Sequence, residues 1–124
     1  GGLVDIEFIA QYLQLSHAHD DPSVLAANTT VALARLADVG VLDRAVADDL
    51  IQAMRLWRKV QAVLRLTLES RFEEDDAPGG LRAALARGAG ADNFDSLRAD
   101  MRATAKRAHG HFVALIEAPA EKLG

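Results

Sequence analysis

The pattern that most constrains the fold is a stretch from Asp43 to about Arg71 that contains no internal Gly or Pro and keeps a helical spacing of apolar residues. Asp43 stands where a helix cap is expected, and a helix of this length spans roughly 43 Å at 1.5 Å per residue. Apolar residues separated by steps of three and four form the seam of near-antiparallel helix pairs. We therefore predict an all-α helical bundle in which two or three other helices pack on this long central helix. Its seam consists of Val46, Leu50, Ala53, Trp57, Val60, Leu64 and Leu68.

Turn-forming residues divide the remainder of the chain into shorter helices, for about five helices in total. Ser23 is a suitable cap for the second helix, and Gly40 fits the position just past its end. Gly110 lies inside the last helix, where it weakens the helix and favours a close helix crossing. The predicted helices cover about 2–15, 23–39 with an irregularity at 28–30, 43–71, 81–87, and 93–117, the last one ending before Pro119.

Length and composition indicate one helical domain over residues 1–124. Half of the residues are hydrophobic and only 5% are aromatic, which suits an Ala- and Leu-rich bundle. A net charge of −4 argues against non-specific binding to nucleic acid or to an anionic membrane. There is no signal peptide, no apolar run of transmembrane length and no Cys, so we expect a cytoplasmic protein.

The first helix carries carboxylates near its amino terminus. Gly1 and Gly2 allow another group to approach the helix start closely, and Asp5 and Glu7 fall in the first two turns. Spacing alone indicates only that these acids complement the helix dipole. Because Glu7, Gln11 and Gln14 form a narrow polar stripe on an otherwise apolar helix, we expect this helix to be mostly buried.

Basic side chains project from one side of the long helix. We name this set the basic ridge. Either it is a solvated face partly paired with acids at helical spacing, or it is a surface that meets nucleotide phosphates or an acidic patch on a protein partner. The basic ridge consists of Arg44, Arg55, Arg58, Lys59 and Arg65.

Other polar clusters do not predict a catalytic or metal site. His17 and His19, like His109 and His111, are two residues apart, whereas helical metal pairs are usually three or four apart. The acidic run 73–76 is expected to be an exposed, mobile loop rather than a cation site. None of the four serines lies in a Gly-x-Ser-x-Gly frame, and no phosphate-binding loop is present, so we predict no catalytic residue and no metal ligand.

Two sequence motifs near the amino terminus resemble one segment of the glutamine synthetase adenylyltransferase family. They are Gly-Gly-Leu-Val-Asp-Ile-Glu-Phe at residues 1–8 and Gln-Tyr-Leu-Gln-Leu at residues 11–15. That segment follows the nucleotidyltransferase fold. The resemblance covers residues 1–72 and weakens after that. The family carries two nucleotidyltransferase units in tandem, each followed by a helical domain, and Asp5 before Ile-Glu-Phe resembles the second, adenylylating unit. Also matching are Thr29, Thr30, Ala32, Leu33, Leu36, Gly40, Leu42 and the run 47–68.

The resemblance implies that this chain is a helical piece of a larger enzyme. In the family, paired aspartates of the nucleotidyltransferase fold hold two Mg²⁺ ions and transfer AMP from ATP to a tyrosine of glutamine synthetase; the enzyme also removes AMP. None of those elements occurs here, so the isolated piece is expected to be inactive and to need no cofactor of its own. The implied arrangement has Gly1, Gly2, Asp5 and Glu7 facing the active-site cleft of the adjoining nucleotidyltransferase domain. Other faces would contact glutamine synthetase or the PII signalling protein.

Two alternatives remain open. The related PII uridylyltransferase has a similar segment that begins with Gly-Gly-Leu but continues with Arg-Asp-Ile, whereas Val4 stands here in place of that Arg. The second alternative is a stand-alone helical adaptor, because any amphipathic bundle can offer a groove or ridge to a partner.

Overall fold

The computed structural model describes residues 2–71 and 78–123, with side chains described for 3–66, 82–83 and 85–120. Every regular element in these ranges is helical, which confirms the all-α fold and the long third helix. The α-helices are α1 (Gly2–His17), α2 (Thr29–Asp38), α3 (Arg44–Arg71), α4 (Pro78–Gly88), α5 (Phe94–Phe112) and α6 (Ala118–Leu123). A 3₁₀ turn covers Pro22–Val24, and a π turn covers Val113–Glu117.

The chain divides into two compact units. Unit 1 comprises Gly1–Met54 and Thr104–Gly124, and unit 2 comprises Arg55–Ala103. In unit 1, α1 packs on α2 and on the 3₁₀ turn. This packing excludes water from the apolar side chains between the helices, which is the main favourable contribution to folding. The largest fully buried side chains of unit 1 are Ile6, Ile9, Val24, Leu33, Leu36, Leu50 and Met54.

The second helix begins at Thr29, so the predicted start at Ser23 is wrong. Asn28 caps α2, because its side-chain oxygen accepts hydrogen bonds from the backbone N–H of Thr30 at 2.9 Å and of Val31 at 3.4 Å. Ser23 lies instead in the 3₁₀ turn, which Asp21 caps. The irregularity predicted at 28–30 is therefore the true start of the helix.

The predicted end of the second helix is confirmed at Gly40. Gly40 has a φ of +81°, the left-handed conformation that follows many helix ends. The backbone N–H of Val41 bonds to the carbonyl of Leu36 at 2.9 Å, and that of Gly40 bonds to Ala37 at 3.1 Å. These two bonds satisfy carbonyls that the end of α2 would otherwise leave free.

Helix α1 is not mostly buried, contrary to the prediction. Ile6, Ile9 and Leu13 are buried, but the opposite side of the helix is exposed. The prediction failed because apolar content shows that a helix has surfaces to cover, while only the tertiary fold shows which of them other helices cover. The exposed apolar side chains of α1 are Val4, Phe8, Tyr12 and Leu15, and we refer to these four as the α1 stripe.

The helical conformation continues through Pro119, although the sequence predicted an end before it. Pro cannot donate a backbone hydrogen bond, and its ring collides with the carbonyl four residues earlier in an α-helix. Here the turn that precedes Pro119 is a π turn, in which the N–H of Ala118 bonds to the carbonyl of Val113, five residues back. The wider turn accommodates the proline ring and lets α6 follow directly.

A close backbone approach occurs at Gly88, not at Gly110. A Cβ built on Gly88 would lie 2.3 Å from Cγ2 of Val63, whereas a Cβ built on Gly110 meets no atom within 4 Å. The predicted helix crossing at Gly110 is therefore wrong. In unit 2 the carboxyl end of α4 passes over α3 at Val63, and only Gly fits there without a shift of the neighbouring side chain.

The other differences concern helix boundaries and the predicted seam. Helix α4 begins at Pro78 rather than Leu81, and Pro is well tolerated in a first helical turn. In the predicted seam of α3, Leu50 and Ala53 are buried, but Leu64 is exposed. The side chain of Leu68 and the predicted loop at 73–76 lie outside the described residues.

Candidate functional site

The acids at the amino terminus of α1 are held apart. Asp5 is partly exposed, and its Oδ2 lies 3.5 Å from Nδ1 of His109 on α5. Glu7 is half-buried. Because side chains two residues apart on an α-helix point about 200° apart, Asp5 and Glu7 do not converge on one ligand. Gly1 lies outside the described residues, and Gly2 is the first residue of α1.

A second carboxylate joins α3 to α5 within unit 1. Asp49 accepts from Nε of Arg107 at 3.2 Å and lies 2.8 Å from Nε2 of His111. His109 and His111 thus meet different carboxylates, as their spacing predicts. Asp49 was not among the residues predicted for a site, although Arg107 and His111 are four residues apart and so lie on one side of α5. Among the described side chains, no three metal-ligating residues come together.

Side-chain hydrogen bonds hold the connection between α1 and α2. Gln14 is buried, and its side-chain oxygen accepts from the backbone N–H of Ala26 at 2.9 Å while its nitrogen donates to the carbonyl of Ala10 at 3.1 Å. Arg35 donates to the carbonyl of Leu25 at 2.8 Å. Gln14, predicted as part of a polar stripe, is therefore a structural residue that ties the connection to α1.

Two smaller features belong to the same connection. The hydroxyl and the backbone N–H of Ser23 both donate to Asp21, and these hydrogen bonds lower the pKa of the Asp21 carboxyl. An open cavity of about 360 Å³ adjoins this region. Its described lining is Ser23, Arg35, Asp38 and Val39, and it offers one guanidinium beside one carboxylate. Arg35 already donates to the backbone carbonyls of Ser23 and Leu25, so its guanidinium holds the connection between α1 and α2. We therefore assign no ligand to this cavity.

The basic ridge separates into two parts. Arg44, in unit 1, forms an ion pair with Asp38. The other four members lie in unit 2 and are exposed. Within residues 3–66, 82–83 and 85–120, none of these four forms an ion pair. They are Arg55, Arg58, Lys59 and Arg65.

Unit 2 also contains an open, mainly apolar cavity of about 400 Å³. The guanidinium of Arg82 stacks over the ring of Phe94, 5.5 Å from its centroid, at the same wall. Among the described residues, no helix is both long and apolar enough to cross a bilayer. The described lining of the cavity is Val60, Leu85, Phe94, Leu97, Arg98 and Met101.

The described residues form an all-α fold with a long third helix, and no three metal-ligating side chains come together among them. The family model for GlnD PII-uridylyltransferase matches residues 1–116. The chain belongs to this family. The matched residues extend beyond residue 72 through α5 into the π turn.

The chain is also similar to curated proteins described as "Bifunctional glutamine synthetase adenylyltransferase/adenylyl-removing enzyme". The relative from Bradyrhizobium diazoefficiens is 40% identical over 117 residues, which is 94% of this chain. A relative from Rhodopseudomonas palustris is 40% identical over 116 residues, and one from Xanthobacter autotrophicus is 38% identical over 121 residues, which are 94% and 98% of this chain. These similarities confirm the resemblance to the glutamine synthetase adenylyltransferases.

The chain spans about 12% of the length of each of these curated relatives. No solved structure matches the chain significantly.

Proposed function

We propose that this chain is the helical domain of an enzyme that transfers AMP from ATP to a tyrosine of glutamine synthetase and removes it again. The observation that carries the proposal is the 40% identity with a bifunctional glutamine synthetase adenylyltransferase over 94% of this chain. At this identity over nearly the whole chain, the same fold and the same place in the parent enzyme are expected. The proposed compartment is the cytoplasm.

In this proposal the chain supports the chemistry without performing it. Phosphoryl and nucleotidyl transfer require carboxylates that converge on Mg²⁺, and the described acids of this chain do not meet in a set of three. Asp5 is engaged by His109 and Asp49 by Arg107 and His111. We therefore assign ATP and Mg²⁺ to the adjoining nucleotidyltransferase domain, with Gly1, Gly2, Asp5 and Glu7 toward its cleft.

The basic ridge is the proposed contact for a partner protein. Four exposed cations that lack ion-pair partners among the described side chains provide donors for carboxylates or phosphates. Such a surface speeds association with an acidic partner more than it increases the final affinity. Glutamine synthetase is the first partner that we assign to the basic ridge, and the PII signalling protein is the second.

The test uses the full-length polypeptide with glutamine synthetase, Mg²⁺ and ATP labelled in its α-phosphate. We expect label to enter glutamine synthetase and to be lost again under conditions that favour removal. The 124-residue chain alone, as the control, should transfer no label. Transfer of label by the 124-residue chain alone, or no transfer of label by the full-length polypeptide, would contradict the proposal.

The second candidate is uridylyl transfer to PII, favoured by the description of the matching family. The same preparation is tested with PII and UTP labelled in its α-phosphate. If the first proposal is right, this reaction is at least a hundredfold slower than the reaction with glutamine synthetase and ATP. The reverse order would establish the second candidate in its place.

A further inference from the structure

Helix α1 has apolar residues on two opposite sides, and the described structure covers only one of them. Ile6, Ile9 and Leu13 are buried in unit 1. On the other side, the exposed fraction is 65% for Val4, 46% for Phe8, 45% for Tyr12 and 78% for Leu15.

The α1 stripe is a continuous surface. Positions 4, 8, 12 and 15 follow the spacing that places side chains along one side of a helix. The rings of Phe8 and Tyr12 stack at 6.4 Å, and Phe8 packs edge to face on Phe112 of α5 at 5.7 Å. The surface thus reaches from α1 to the carboxyl end of α5.

The composition of α1 is mostly apolar outside the narrow polar stripe of Glu7, Gln11 and Gln14. Residues 2–16 include no Lys or Arg, and their only charged side chains are Asp5 and Glu7. A surface helix normally places charged or polar residues opposite its buried side, and a helix that is apolar all round is normally found inside a larger structure. The α1 stripe therefore has the chemistry of a surface that packs against another apolar surface.

We propose that the α1 stripe is the docking face for the nucleotidyltransferase lobe of the same polypeptide. The inference rests on the proposed function, and it adds the face that joins the two parts. The curated relatives are far longer than this chain, which spans 12% of their length, so most of their polypeptide lies outside it.

The size of the surface also favours a covalently attached occupant. The four side chains expose on the order of 400 Å² of mostly apolar surface, taking about 200 Å² for a large side chain. A stable complex between separate proteins typically buries about 800 Å² on each partner. A lobe in the same polypeptide acts at an effective concentration of about the millimolar range, so a smaller apolar contact suffices.

Hydroxyl-radical footprinting of the full-length protein tests whether the α1 stripe is covered. Leu25 provides a matched reference, because it is the same residue type in the same unit and is 48% exposed. If the stripe were free, Leu15 would be oxidised faster than Leu25. We expect Leu15 to be oxidised at least fivefold more slowly than Leu25, with Phe8 and Tyr12 protected as well. Oxidation of Leu15 at the rate of Leu25 or faster would overturn the proposal.

Three further measurements test which part of the protein covers the stripe and whether Leu15 contributes to the contact. Protection that persists on hundredfold dilution supports an occupant in the same polypeptide, and protection lost on dilution identifies a second copy and overturns the proposal. Chemical cross-links from α1 should reach the nucleotidyltransferase lobe, and cross-links to another part of the polypeptide overturn it. In full-length protein, Leu15→Glu should increase the oxidation of Phe8 severalfold, whereas Val31→Glu, at an exposed apolar residue of α2, should leave it unchanged.

The AMP-transfer assay on the same preparation separates this inference from the proposed function. An active enzyme with an oxidisable stripe refutes the docking face and leaves the function in place. An enzyme that modifies PII instead of glutamine synthetase, with a protected stripe, refutes the function and leaves the docking face.

Discussion

Units 1 and 2 expose surfaces of different chemistry. Unit 1 has an extensive buried core and side-chain hydrogen bonds at Gln14 and Arg35, yet it exposes the apolar α1 stripe. Unit 2 exposes four cations of the basic ridge and contains an open cavity of about 400 Å³. Apolar surface is normally covered permanently, whereas exposed charge suits contacts that form and dissociate. The two proposals accordingly assign a fixed contact to unit 1 and a transient contact to unit 2.

The largest expected effect is on the two cores. Leu36→Ala in unit 1 should lower the free energy of unfolding by about 3–4 kcal/mol, because Leu36 is fully buried and its removal leaves a void. Leu85→Ala in unit 2 should cost about 2 kcal/mol, since Leu85 already lines an open cavity. Urea unfolding of both variants measures the difference. Equal losses would mean that the two cores are equally well packed.

The next effect concerns the close approach in unit 2. Gly88→Ala should cost about 1–3 kcal/mol, because the new Cβ meets Val63. Gly110→Ala should raise stability by about 1 kcal/mol, since it adds a helix-favouring residue in open space. Thermal unfolding gives both values. The double variant Gly88→Ala, Val63→Ala should lose less than the sum of the single losses, and simple additivity would contradict the contact.

A smaller effect locates the start of α2 in unit 1. Asn28→Ala should lower stability by about 1 kcal/mol, because two backbone N–H groups lose their acceptor. Ser23→Ala serves as the control and should lower stability by less, since Ser23 does not cap α2. A larger loss at Ser23 than at Asn28 would show that the helix begins at the earlier residue.

The smallest effect on stability is expected at the basic ridge. Replacing Arg55 and Arg58 by Glu should change the free energy of unfolding by about 0.5 kcal/mol or less per site, because both side chains are exposed. In the full-length protein the same change should slow association with glutamine synthetase severalfold at low salt. Stopped-flow association measures this rate. Arg102→Glu in the same unit is the control, and an equal effect there would remove the specific role of the basic ridge.

Local sequence patterns predicted much of the fold. The spacing of apolar residues predicted the third helix and the helices that follow it. Gly40 marked a helix end, because few residues other than Gly adopt its left-handed conformation. Ser23 and Asn28 are both suitable residues for the N-cap of α2. The neighbouring sequence alone does not show at which of them the helix begins. The bonds from Gln14 and Arg35 fix the connection, and those depend on the tertiary fold.

The candidate site was harder to predict because its features depend on neighbours distant in sequence. Gly110 and Gly88 are both helical glycines, and only the position of Val63 shows which one is needed for packing. No local sequence signal marks Asp49, because its partners Arg107 and His111 lie 58 and 62 residues away along the chain. The basic ridge was correctly placed on α3, but the pairing of Arg44 with Asp38 could not be derived from helical spacing.

The π turn at Val113–Glu117 takes up one residue more than an α turn while the chain completes about the same rotation around the helix axis. Deleting one residue from this turn would restore a regular α turn, and the side chains of α6 would keep about the same facing. The ring of Pro119 would then lie against the carbonyl four residues earlier, which an α-helix does not accommodate. Alignments of relatives should therefore treat a one-residue gap here as the loss of the π turn and not as a change of facing for the carboxyl-terminal helix.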